Sequence, residues 1–250
     1  MKIQNLICAK FIRRYKRFFI DAELQNGETV VAHCPNTGSM KTLLDQTDEV
    51  WIRFDDNPKR KLKYTAEILK LQSGTLALIN TQRPNAIIEE ALSSGQVDFL
   101  SDFKVWKREV KYGSENSKID IWSQSGEQEV FVEVKNMTLM DQPGWGSFPD
   151  AVTTRGQKHL RELLEVAQTD NMQAVLCFLV SRDDVETFGI AGHIDSTYQT
   201  LYDEAVAGGV QVWAPTVIYE VSKMGQNENG DSLVDVEMTL GKALDQKKWI

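Results

Sequence analysis

No run of about 18 apolar residues occurs in this 250-residue chain, and no apolar secretory core follows a basic start, so neither a membrane span nor export is expected. Cysteine is scarce: Cys8, Cys34 and Cys177 are scattered and lack paired spacing. That excludes a disulfide frame or a zinc site and leads us to expect reduced, buried thiols in a cytoplasmic protein. Internal repeats, coiled-coil heptads and a phosphate-binding glycine loop are also missing, which sets aside repeat arrays and the common glycine-loop nucleotide sites. An overall excess of positive charge is lacking too, since the net charge is −8.

What is present is an uneven charge distribution. Residues 1–83 hold 14 Lys and Arg against 9 Asp and Glu, or +5; of the 28 basic and 36 acidic residues, 14 and 27 remain for the rest, or −13. The basic part gives an electrostatic footprint for nucleic acid despite the acidic total. It also reads as short strands, at Val30–His33, Glu49–Phe54, Thr65–Leu71 and 76–80, with turn residues between them, which suggests a small barrel. Arg13, Arg14, Lys16 and Arg17 flank Tyr15 and Phe18, while Lys59, Arg60, Lys61 and Lys63 lead into Tyr64. Cations that neutralise phosphates beside rings that stack on bases are the usual OB-type surface, so DNA is the expected partner.

The rest of the chain carries the chemistry. Ser117-Lys118-Ile119-Asp120-Ile121-Trp122 and Val130-Phe131-Val132-Glu133-Val134-Lys135 both read as buried strands with charged groups set among apolar ones. Alternate strand residues share a face, so Glu133 and Lys135 point the same way. If the gap containing Gly126 is a hairpin turn, Asp120 lies beside them. Two carboxylates converging next to an ammonium at a strand end suit a divalent cation such as Mg²⁺ or Mn²⁺, with the lysine orienting water or stabilising phosphoryl charge. The spacing of Asn85–Leu92 predicts a preceding helix that stops near Gly95, and 105–112 a strand. Thr154-Arg155-Gly156-Gln157 predicts a capping box, opening a helix with Leu160, Leu163, Leu164 and Ala167 on one stripe. The apolar run Ala174–Val180 reads as a central strand covered on both faces. Further on, 194–205 has helical spacing and Val210–Ala214 reads as a strand.

This α-β-β-β-α-β order with D…E-x-K resembles the PD-(D/E)xK nuclease superfamily. The resemblance implies that Asp120 and Glu133 bind Mg²⁺, that Lys135 positions or activates water, and that a helix glutamate, Glu90 in preference to Glu89, completes the metal site. Ile119 stands where the motif has proline, and the literal Pro149-Asp150 lies on the wrong side of Glu133, where a turn before the helix is expected. At a finer level, Arg14-Tyr15-Lys16-Arg17-Phe18, His33-Cys34-Pro35-Asn36-Thr37-Gly38-Ser39-Met40, 57–64, 108–113 and 148–160 resemble the bacterial sugar fermentation stimulation protein A (SfsA) family. That family implies an N-terminal OB-like barrel joined to a nuclease-like α/β domain with a mixed sheet, non-specific DNA binding and a regulatory role in sugar metabolism.

The expected organisation is therefore an OB-like domain over 1–83, a nuclease-like domain over 84–223 and a variable tail over 224–250. The expected function is a Mg²⁺-dependent DNA nuclease, with a non-catalytic DNA-binding regulator of sugar (maltose) metabolism genes as the alternative. A homodimer is a further expectation, because enzymes that cut both strands often pair. The 33–40 loop places His, Cys and Ser together but shows no oriented base, so it is expected as a turn in which Asn36, Thr37 and Ser39 cap backbone groups near the bound strand.

Overall fold

The computed structural model describes residues 1–113 and 117–247. The first part is a closed barrel. Strand β1 (Lys2–Tyr15) leads to β2 (Phe19–Glu23) and β3 (Thr29–His33), a single helical turn α1 (Lys41–Leu44) follows, and then come β4 (Thr47–Phe54), β5 (Tyr64–Leu71) and the short β6 (Leu76–Leu78). The order β2-β3-β5-β4-β1 closes through a β1–β2 pairing, so the five strands form an OB barrel. Ile20, Val50, Ile52, Ala66 and Leu69 point inward and fill it.

Helix α2 (Pro84–Ser93) starts with proline in its first turn, where the missing N–H costs nothing, and ends before Gly95, whose φ of +73° only glycine adopts freely. Next come β7 (Trp106–Tyr112), β8 (Ser117–Ser125), β9 (Gln128–Met137), β10 (Leu139–Gln142) and β11 (Gly144–Phe148). Helix α3 (Thr154–Ala167), β12 (Met172–Val180), β13 (Val185–Ile190), α4 (Ser196–Ala207) and β14 (Gln211–Trp213) complete an α/β domain. Its sheet is mixed: β7, β8 and β9 run antiparallel, and β12 lies parallel to both β9 and β14. With β9 and β14 as neighbours, Ala174–Val180 is wholly buried. Apolar residues of α2 pack in one core cluster and those of α3 and α4 in another, so helices cover both faces.

The α3 start departs from the expected capping box by one position. Thr153 is the cap and accepts from the Gly156 N–H at 3.0 Å. Gly156 in the third helical position has no side chain to reach back, and Gln157 instead donates to Asp195. The segment from 224 onward was expected as a tail, yet strands are what it forms. Strand β15 (Pro215–Gln226) turns into β16 (Ser232–Ala243), whose other edge pairs with Lys2, Ile3, Leu6 and Ile7 of β1. Val234, Val236 and Met238 of β16 are buried in the core cluster that also holds α2 and residues of β1, β9 and β12. Residues 248–250 of the expected tail lie outside the described residues.

Candidate functional site

The hairpin expected around Gly126 exists: Gly126 takes φ +60° in the turn between β8 and β9. Pairing of the two strands runs from Ser125↔Gln128 to Ile121↔Val132 and then stops. Asp120 stands one residue past the last pair, and its Oδ2 accepts the Val134 N–H at 2.8 Å where the ladder opens. A carboxylate thus replaces a backbone carbonyl at the point where the strands splay. This places Asp120 beside Glu133.

Glu133 is 2% exposed. Its Oε1 takes the Lys135 ammonium at 2.5 Å and also the ring Nδ1 of His159, which packs in from α3. Lys135 Nζ lies 3.2 Å from the same ring nitrogen, and Arg155 Nε donates to His159 Nε2 at 3.4 Å. The other oxygen, Glu133 Oε2, is buried without a partner. Burial alone would raise the Glu133 pKa, but Lys135 and His159 outweigh it and hold the carboxyl below its ordinary value. Burial, and then the charge of Glu133, pushes Asp120 up to about 6 against the lowering by the Val134 N–H, Lys135 and Asn85. Elsewhere in the core, both oxygens of Glu162 and the hydroxyls of Tyr112 and Tyr198 are also buried without partners.

The helix glutamates sit elsewhere. Glu90 is bound to the Met1 amino group at 3.1 Å with its side chain 61% exposed, and Glu89 is paired with Arg108. From α2 it is Asn85 that reaches the site, donating to Asp120 Oδ1 at 2.9 Å. Helix geometry explains the exchange, because Glu90 lies five residues from Asn85 and so roughly 140° around the axis. His159 was missed as a site residue. The signal was in the sequence: it falls with Leu160, Leu163 and Val166 on the buried stripe of α3, where an unpartnered imidazole would be costly.

Among the described residues, no three His, Cys, Asp or Glu side chains are grouped to hold a metal ion. Two carboxylates, one with an orphaned buried oxygen and the other raised by burial and then by its like-charged neighbour, nevertheless suit one kind of cation. Mg²⁺ keeps several waters and is held by one or two carboxylates plus substrate phosphate, whereas Ca²⁺ calls for six to eight oxygens.

The two cationic clusters divide in the same way. Arg14 is not available to phosphate: its guanidinium donates to the carbonyls of Arg17, Asn36, Gly38 and Ser39 at 2.7 to 3.2 Å and so moulds the 36–39 loop. Arg60 is likewise held by Asp55, Leu62 and Thr65. Arg13 lies over the Tyr15 ring and is paired with Asp21, Tyr15 stacks on Phe19, and Tyr64 packs on Phe54. Arg17, Lys59 and Lys61 are exposed. The 33–40 loop is a turn in which Asn36 Oδ1 accepts the Gly38 N–H at 2.8 Å, and Ser39 N–H donates to Asp150 Oδ2 at 2.7 Å across to the α/β domain.

Two family models match the chain. Residues 12–79 match the family model described as the SfsA N-terminal OB domain, and residues 82–223 match the sugar fermentation stimulation protein RE domain. A sugar fermentation stimulation protein homolog of Shewanella halifaxensis is 48% identical over 204 residues, covering 81% of this chain and 86% of the relative. Its counterpart in Psychromonas ingrahamii is 44% identical over 214 residues, covering 84% and 93%. The structure of Pyrococcus furiosus SfsA in complex with Ca²⁺ superposes with a TM-score of 0.81 at 22% identity, covering 99% of this chain and 98% of that one. At that identity the likeness shows the fold.

Proposed function

The chain belongs to the sugar fermentation stimulation protein (SfsA) family, and on that premise we propose that it is a metal-dependent nuclease that binds DNA. The observation that carries the reading is the half-satisfied Glu133: a buried carboxylate with one oxygen bound by Lys135 and His159 and the other left open beside a second, strained carboxylate. Such a pair is costly to fold and repels a phosphodiester unless a cation intervenes. Pyrococcus furiosus SfsA forms a complex with Ca²⁺, which supports a divalent cation in this fold.

Asp120 and Glu133 would hold that cation, Mg²⁺ or Mn²⁺, and when bound it supplies Lewis-acid polarisation of a phosphate oxygen and a more acidic water. The chain's own residues do the rest. Asn85 and the Val134 N–H fix both Asp120 oxygens, so the carboxylate cannot rotate away. His159 holds Glu133 Oε1 and sits against Lys135, which stations the ammonium at the mouth of the site. There Lys135 stabilises the negative charge that develops on the phosphoryl oxygens. Exposed Arg17, Lys59 and Lys61 would neutralise backbone phosphates further along the strand. Cys8, Cys34 and Cys177 are all free, which supports the cytoplasmic setting expected from the sequence.

The test is cleavage of labelled nucleic acids with Mg²⁺ or Mn²⁺, repeated with EDTA. Asp120→Asn and Glu133→Gln should each lower the rate by about a hundredfold or more without weakening DNA binding in EDTA. Cleavage that is equal in wild type and variants would overturn the assignment. Binding without cleavage under any metal would leave the chain a DNA-binding regulator.

A further inference from the structure

A cavity of about 270 Å³ opens beside Lys135 at the junction of the two domains. Its roof is the Arg14-moulded loop of Asn36 and Thr37 from the barrel, its floor is Lys135 and Asn136 of β9, and its side wall is Ser147 and Phe148 of β11. Ser147 is 1% exposed and its hydroxyl has no partner, although it lines the space. An unpaired hydroxyl in a cavity wall calls for an explanation, and an occupant of the cavity supplies one. Phe148 rests on Phe178 and Tyr198, with ring centroids 5.3 and 5.4 Å apart, and is therefore held in place where it meets the cavity.

The chemistry of the walls narrows the occupant. Among the described residues, Lys135 and Asp150 are the only charged side chains in the lining and they oppose each other, so a free multivalent anion has no excess of positive charge to hold it. Amide and hydroxyl groups with one aromatic ring instead match a planar, hydrogen-bonding heterocycle. The volume falls just under the range of about 300–1,000 Å³ usual for small-molecule pockets, room for one nucleotide. The roof is also tied down, since Ser39 N–H and Oγ both bond to Asp150 Oδ2, at 2.7 and 3.2 Å. A paired, stacked base cannot enter such a slot; an unstacked one can.

We propose that this cavity seats one unstacked nucleotide next to the phosphate at Lys135, so that the ligand of the site is single-stranded nucleic acid or a strand end. The assignment rests on the phosphodiester reading of Asp120, Glu133 and Lys135 for the position of the phosphate. The roof loop then selects the form of the strand, while the carboxylates act on it.

The experiment compares binding of a thymidine tetranucleotide with that of a tetramer of abasic residues, by calorimetry in EDTA. The wild type should prefer the thymidine tetramer by about tenfold. Thr37→Trp, a change at an exposed roof position that fills the cavity, should abolish the preference. Ser147→Ala should reduce thymidine affinity by about fivefold, with thermal unfolding confirming that both variants fold. Equal affinity of wild type for the two tetramers, or a preference that survives in folded Thr37→Trp, would overturn the proposal. Because no metal is present, base preference without metal-dependent cleavage sinks the nuclease reading and keeps the nucleotide seat, and cleavage without base preference does the reverse.

Discussion

Two buried glutamates, one in each half of the molecule, are treated in opposite ways. Glu67 in the barrel is fully buried, and its oxygens take Arg53 at 3.1 Å, Arg83 at 2.6 and 2.9 Å, and Asn80 at 2.8 Å. Glu133 in the α/β domain is as deep, yet one oxygen is shared by Lys135 and His159 and the other has no partner. A satisfied buried charge holds a fold in one arrangement, whereas an unsatisfied one is tolerated where a ligand completes it. Burial alone therefore does not tell these two glutamates apart; the partners of their oxygens do.

The sharpest way to break that contrast is to remove each carboxylate and measure unfolding in metal-free buffer. Glu67→Ala strands two arginines and should cost about 3–5 kcal/mol. Glu133→Gln keeps the side chain's shape and an acceptor oxygen for Lys135 and His159, and should cost less. Comparable losses at both positions would erase the distinction.

A smaller effect lies in pH. The folded pKa of Asp120 stands above its ordinary 3.8, at about 6, so the folded state binds the proton more tightly than the unfolded chain. Its contribution to stability is then complete below about pH 3.8 and is lost as pH rises through about 6. Asp120→Asn should flatten this segment of the stability curve, recorded as melting temperature between pH 4 and 7 without divalent cation. A variant curve parallel to that of the wild type would mean that the strain sits elsewhere.

The smallest effect distinguishes arginines of the basic cluster from one another. Arg17→Ala and Lys61→Ala should each lower the salt slope of DNA binding by about 0.7 to 0.9 for one phosphate contact, with little change in melting temperature. Arg14→Ala should lower the melting temperature, because four loop carbonyls lose their donor. If Arg14 changes the slope and not the stability, its guanidinium is reading phosphate after all.

Strong local patterns make much of this fold legible in the sequence alone. Continuous apolar runs marked β9 and β12, a proline start and a glycine stop marked α2, and the turn at Gly126 set Asp120 beside Glu133. Strand β1 escaped notice because its period is broken: the register shifts between Ile3 and Leu6 and again between Phe11 and Arg13, and Asn5 takes φ +54°. Alternation read along a line fails where a strand bulges.

The sequence by itself determined that two carboxylates and a lysine lie close together on neighbouring strands, since a period of two and a short turn leave them little freedom. It also determined the separation into a basic barrel and an acidic α/β part. The tertiary structure decided which neighbours those groups meet. Asn85 rather than Glu90 faces Asp120, His159 rather than a surface residue holds Glu133, and Arg14 is spent on the roof loop. Each choice depends on how a helix or loop is rotated against the sheet, which is set by packing across tens of residues; of the three, only His159 leaves a local trace, by falling on the buried stripe of its helix.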